Sequence, residues 1–189
     1  MTDEERTPPE KIRITGLQEA QLLDLQAIEA RCAAMFYEVG LTDKQLTPRT
    51  DIEIARLTRN HDLMVAEADD RTAGYLAWAD EAPGVAYLPI LMVAPIHQRF
   101  GLGTRLLREV GEAASKHGIT TVVTPCWATA TWAMSFLGVR GFQPLDGQLP
   151  DKLEQWKARR QADLVEPGLS LWWAETDGLG TVPGLPRPT

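Results

Sequence analysis

Residues 93–107 read Val-Ala-Pro-Ile-His-Gln-Arg-Phe-Gly-Leu-Gly-Thr-Arg-Leu-Leu, and the reading of this stretch decides the fold. Before it, residues 85–93 are almost continuously apolar, as a strand buried on both faces is. After it, Leu102, Leu106, Leu107, Val110 and Ala114 fall on one helical stripe that Gly118 ends, which predicts a helix over 101–117. A buried strand therefore passes through a loop with glycines at 101 and 103 straight into an amphipathic helix. Glycine lets the backbone turn sharply and approach a ligand, and the first N–H groups of a helix have no partners within it. Such a junction cradles an anion, phosphate above all. The local charges agree. His97, Arg99, Arg105 and Arg108 occur between Ala94 and Arg108 without a carboxylate, in a chain whose 19 Lys plus Arg and 26 Asp plus Glu give a net charge of −7. Two other phosphate loops are excluded: Leu106 stands where GxGxxG needs its third glycine, and no Gly-Lys-Ser/Thr follows for a P-loop.

Outward from this segment the pattern alternates between helix and strand. Strands are expected at 11–15, 63–67, 73–78, 119–125 and 169–174, with another opened by Gly141-Phe142. The polar turn Asp69-Asp70-Arg71 joins 63–67 to 73–78 as a hairpin. Helices are expected over 22–36, 50–60, 129–139 and 151–162, with a loop at 41–49. Helices inserted among the strands of one sheet make a mixed α/β (α+β) fold. The acidic leader 1–10 reads as disordered and the Gly/Pro-rich 176–189 as a flexible tail, leaving 11–175 as a single domain.

Composition narrows the function. With 44% hydrophobic and 24% charged residues the chain can bury a core. The negative balance argues against nucleic acid or an anionic membrane as partner and leans towards cationic small molecules such as amines. Cys32 and Cys126 form no CxxC, so neither a zinc site nor a disulfide framework is expected and a cytoplasmic setting is. No signal peptide or apolar run long enough to span a bilayer is read from the sequence.

Gln98-x-x-Gly101-x-Gly103, preceded by Val93-x-Pro95 and followed by Thr104-x-Leu106-Leu107, resembles the acyl-CoA-binding motif of the GNAT superfamily of N-acetyltransferases. The hairpin upstream, Trp132–Phe142 (WAMSFLGVRGF) downstream, and Ile14, Ala27-Ile28-Glu29 and residues 34–40 near the front extend the resemblance over roughly 11–145. It implies a mostly antiparallel central sheet of six to seven strands with flanking helices, and acetyl-CoA as co-substrate with no metal. Backbone N–H groups of Gln98, Arg99, Phe100, Gly101, Leu102, Gly103 and Thr104 would hold the pyrophosphate. The main chain of Leu91, Met92 and Val93 would bind the pantetheine arm, with the thioester between the fourth and fifth strands near Thr124 and Cys126.

The chain departs from the family where acid and base usually sit. Pro89 stands where relatives often carry a Glu and Leu137 where they carry a Tyr, with alanine in place of the Asn before it. Acetyl transfer needs a neutral amine and gains from protonation of the leaving thiolate. The replacement catalytic candidates are Glu38 and Tyr87, with His97 and Ser135 behind them. Cys126 would instead attack the thioester. Tyr37, Trp127 and Trp132 are the candidate acceptor-binding residues, an aromatic wall suiting a hydrophobic or cationic acceptor. The implied activity is acetyl transfer to a primary amine of a small molecule by direct attack in a ternary complex. The alternatives are a catalytically degenerate acyl-CoA-binding module and an enzyme using another acyl donor. Residues 151–162 and 169–174 complete the sheet, cover the acceptor site or form a homodimer contact, and the sequence does not choose among these.

Overall fold

The computed structural model describes residues 7–160 and 166–179. Its seven strands lie in the order β1-β2-β3-β4-β5-β7-β6. The chain forms two compact units, one of residues up to 77 together with 91–106, the other of 78–90 together with 107 onward. β3 (Arg71–Ala82) and β4 (Val85–Val93) contribute to both. Residues 1–6, 161–165 and 180–189 lie outside the described residues, and with them most of the expected leader and tail.

In the first unit β1 (Ile12–Gly16) pairs antiparallel with β2 (Asp62–Ala68), from Ile12 opposite Ala68 to Gly16 opposite Met64. The turn after β2 places Asp69 and Asp70 at φ 49° and 60°, a two-residue left-handed turn of the kind that matches strand twist and that Asp tolerates. α1 (Leu22–Tyr37) buries Leu25, Ile28, Glu29, Cys32 and Ala33 on one stripe. Within the expected loop 41–49 stands a one-turn α2 (Asp43–Leu46). Its signal was Thr42-Asp-Lys-Gln45, a reciprocal cap in which Gln45 binds the Thr42 N–H at 3.0 Å. α3 (Asp51–Asn60) starts on the same device, Thr50 with Glu53.

In the second unit β4 runs parallel to β5 (Thr121–Trp127), with Val85, Ala86 and Tyr87 opposite Thr121, Val122 and Val123. β5 pairs antiparallel along its whole length with β7 (Leu169–Glu175). The strand expected from Gly141-Phe142 is shorter and later: β6 is Gln143–Pro144 alone. Gly141, at φ 83°, and Phe142 instead close α5 (Thr131–Gly138), the Phe142 N–H reaching the Leu137 carbonyl at 3.2 Å. α4 (Leu102–Lys116), whose residues up to Leu106 belong to the first unit, buries its predicted stripe. α6 (Asp151–Arg160) drives Leu153 and Trp156 into a core formed by Val85, Tyr87, Val123, Leu145 and Leu149. Of the roles left open for this region, the described residues show α6 covering a sheet face and β7 completing the sheet. Residues 176–178, expected in the tail, form a 3-10 turn that buries Thr176 and precedes a buried Leu179.

Candidate functional site

In the first unit the end of β4 leads into a short 3-10 turn, Pro95–His97, then the glycine loop and α4. Leu91, Met92 and Val93 are half-buried where the earlier part of the strand is closed in. Arg99 sits at φ 70° and Gly101 at φ 82°, so two left-handed residues flank Phe100. Such a backbone turns successive N–H groups towards one side. A Cβ at 101 would meet no atom within 4 Å, so it is the backbone angle that calls for glycine there. The first helical bond is Arg105 N–H to Gly101 at 3.0 Å, which leaves the N–H groups of Leu102 and Gly103 without partners in the helix. The arrangement fits a pyrophosphate.

Two expectations for this segment change. The Gln98 N–H is already spent on the Pro95 carbonyl at 3.3 Å, so it does not belong to the phosphate cradle. The Gln98 side chain folds back instead, donating to the Val93 carbonyl at 2.9 Å, with the Met35 sulfur 3.3 Å away. Cys32 donates to the same carbonyl at 3.4 Å. The Val93 carbonyl is therefore occupied, and a pantetheine arm has the remaining main-chain groups of Leu91, Met92 and Val93 to use. The cationic character is also thinner than the residue count suggests. Arg108 lies 3.7 Å from Glu109 and 4.0 Å from Glu112, and burial holds the His97 imidazole below its ordinary value, with Asp69 opposing and Arg31 and Arg71 reinforcing that shift.

Glu38 caps α1 and is exposed. Tyr37 beside it is 46% exposed and donates to the Asp43 carboxylate at 2.6 Å, a bond that raises the phenol above its usual value. The Tyr37–Asp43 bond ties the end of α1 to the start of α2.

In the second unit the reason why β4 and β5 part is visible. After Tyr87 opposite Val123, the Leu88 carbonyl takes the Thr124 hydroxyl at 2.9 Å in place of a backbone donor, and Pro89 has no N–H to continue the ladder. Tyr87 itself is no acid or base for an acceptor. Its ring packs in the core, 5.9 Å from the Trp156 ring with Arg160 over it at 5.4 Å. Burial, partly offset by Arg160, pushes the phenol up to about 12. Leu137 is buried and Ser135 exposed on α5. Trp127 is half-buried near Gly168, and Trp132 is 40% exposed.

At the end of β5 the register sets Thr124 opposite Trp172 and Cys126 opposite Ser170. The Trp172 indole N–H donates to the Ser170 hydroxyl at 3.1 Å, which donates to the Cys126 carbonyl at 2.9 Å. The sequence offered no sign of this relay, because the register that joins its members spans over 40 residues. Cys126 is buried and burial pushes its thiol up to about 11, as it does that of Cys32. Both thiols stay protonated in the fold where the unfolded chain ionises from about pH 9. Stability is expected to be unaffected by these groups below pH 9 and to fall as pH rises from 9 to 11, measured as urea midpoints across that range. A midpoint that holds constant to pH 11 would contradict the burial of both thiols.

No group of metal-binding side chains occurs among the described residues, and none of their helices is long and apolar enough to cross a membrane.

The family model of the acetyltransferase (GNAT) family matches residues 24–142. No curated protein sequence matches the chain. Among solved structures, the PaiA N-acetyltransferase of Thermoplasma acidophilum in complex with coenzyme A is 16% identical with a TM-score of 0.68, over 87% of this chain and 99% of that one. A GNAT-family acetyltransferase of Staphylococcus aureus Mu50 follows at 15% and 0.65, over 88% and 99%. The N-acetylglutamate synthase of Neisseria gonorrhoeae, complexed with coenzyme A and N-acetyl-glutamate, is 17% identical with a TM-score of 0.61, over 88% of this chain and 35% of that one. At these identities the likeness is one of fold.

Proposed function

Because the chain belongs to the acetyltransferase (GNAT) family, we propose that it transfers acetyl from acetyl-CoA to a primary amine of a small molecule, directly within a ternary complex. The observation that carries the reading is the backbone of the loop: left-handed Arg99 and Gly101 followed at once by the first turn of α4. Polarised N–H groups at a helix start favour a doubly charged pyrophosphate without needing a large local excess of lysine and arginine. Acetyl-CoA supplies an acyl group already activated as a thioester. The chain's part is to bind the phosphates at 99–104, to hold the end of β4 in place through Gln98 and Cys32, and to accept the proton that the ammonium form of the acceptor must lose before attack. With Pro89 at the usual position of the base, that proton goes to water or to Glu38. The exposed Tyr37 and Glu38 at the end of α1, with Asp43 at the start of α2, suit a cationic acceptor. Trp127 and Trp132 remain proposed aromatic contacts of an acceptor. Two free, buried thiols and an acetyl-CoA co-substrate support a cytoplasmic setting for the reaction.

Direct transfer excludes an acyl-enzyme on Cys126. Its buried, protonated thiol is a poor nucleophile. Cys126→Ala is therefore expected to keep its acetyl-transfer rate within about threefold of the parent. Steady-state assays with mass spectrometry of the quenched protein check this; an acetylated Cys126 in the parent, or loss of turnover in the variant, would overturn direct attack.

Pro89 and the buried Leu137 favour a second reading, an acyl-CoA-binding module without catalysis. Release of free CoA from acetyl-CoA across a panel of primary amines separates the two. Amine-dependent release supports the enzyme, and acetyl-CoA binding with no release above the amine-free rate supports the module.

A further inference from the structure

Glu29 is 6% exposed, and an ionised carboxylate in that position is costly unless fully partnered. It is fully partnered. One oxygen accepts the Arg49 backbone N–H at 2.7 Å; the other accepts the Arg49 guanidinium at 2.8 Å and the Tyr75 hydroxyl. Gln26, one turn earlier on α1, donates to the Arg49 carbonyl at 3.0 Å and to Asp51 at 2.8 Å. Both backbone groups of Arg49, in the linker between α2 and α3, are thus held by side chains of α1, as a neighbouring strand would hold them. One turn after Glu29, Cys32 donates to the Val93 carbonyl, and Met35 meets Gln98 of the phosphate loop. Glu29 and Cys32, three residues apart, share one stripe of α1, with Gln26 and Met35 to either side of it.

We propose that Glu29 is a positioning residue of the transfer reaction: it seats the α2–α3 linker at Arg49 on the same face of α1 that seats the end of the acyl-CoA strand at Val93. The proposal rests on the acetyl-CoA reading above. Binding along β4 stiffens Val93 and, through Cys32, the stripe; the Arg49 seat then opens less often. Only a carboxylate serves here, since its oxygens accept three donors while a glutamine amide turns an N–H₂ towards one of them.

Amide hydrogen exchange with and without acetyl-CoA tests the seat without knowledge of the acceptor. In the parent chain, acetyl-CoA is expected to slow exchange over 98–104 and also to slow the Arg49 amide at least about threefold. In Glu29→Gln the protection of 98–104 persists, acetyl-CoA affinity stays within about threefold, and the effect at Arg49 is lost. Gln26→Ala, a half-buried position whose loss leaves Glu29 and its three donors intact, shows the same direction if the Glu29 variant does not fold. An Arg49 amide indifferent to acetyl-CoA in the parent, while 98–104 responds, overturns the proposal. Absence of protection over 98–104 in the parent overturns the acetyl-CoA reading itself. An acetyl-CoA effect on Arg49 that survives in Gln26→Ala and Glu29→Gln reduces Glu29 to a structural ion pair.

Discussion

Gly103→Trp is expected to abolish acetyl-CoA binding, raising Kd by more than about 100-fold, or ~2.7 kcal/mol. Gly103 is the second residue of α4, and its N–H is one of those that the first helical turn cannot use. An indole at this point removes the close approach of a phosphate to backbone that glycine permits. Because position 103 is buried, an indole there also forces repacking, and a milder variant separates the causes. In Gly101→Val the Cβ meets no atom within 4 Å, and the fault is a β-branched residue at φ 82°. It is expected to weaken binding about tenfold at a cost of roughly 1–3 kcal/mol in stability. Calorimetric titration with acetyl-CoA, alongside circular dichroism of both variants, checks the pair. Parent affinity in a folded Gly103→Trp would remove the loop from the site.

Trp156→Ala is expected to destabilise the chain by about 3–5 kcal/mol, a large part of the ~5–15 kcal/mol that a domain of this kind holds. Trp156 is 2% exposed and packs on Tyr87, with Leu153, Val85 and Val123 around it. Truncation removes those contacts and leaves a cavity that Leu145 and Leu149, in the connection between β6 and α6, fill only in part. Trp132→Ala, at 40% exposure, provides the contrast, with a loss of under about 0.5 kcal/mol. Urea unfolding of the two variants measures both. A loss below about 1 kcal/mol at Trp156 would mean that α6 rests loosely on the sheet and is free to serve as a cover for an acceptor.

The loop was legible in the sequence because its signals are local. Val93-x-Pro95, Gln98 and the glycines at 101 and 103 lie within eleven residues, and periods of two and then 3.6 flank them. The family match over 24–142 and the seven-stranded, mostly antiparallel sheet bear out the family and the fold to which the loop pointed. What stayed hidden depends on distant partners or on very short elements. Gln98 is a motif residue, yet its work is done by a side chain turned back onto Val93 and not by its N–H. Glu29 reads as one more polar position on a helix until Arg49, 20 residues on, and Tyr75, 46 residues on, close around it. Tyr87 alternates as a strand residue does, and only α6, an element 64 residues later that begins at Asp151, decides that its ring is core. α2 and β6 are too short for periodicity: the first fell inside an expected loop and is marked only by its reciprocal cap, and Gly141-Phe142 announced the second two residues early.

The central claim is that the backbone of residues 99–104 binds the pyrophosphate of acetyl-CoA. Titration calorimetry with acetyl-CoA, repeated with an acetyl-pantetheine fragment that lacks the pyrophosphate, tests it most directly. The account predicts micromolar binding of acetyl-CoA, about −8 kcal/mol, that collapses for the fragment. No binding of acetyl-CoA, or equal binding of the fragment, would contradict it.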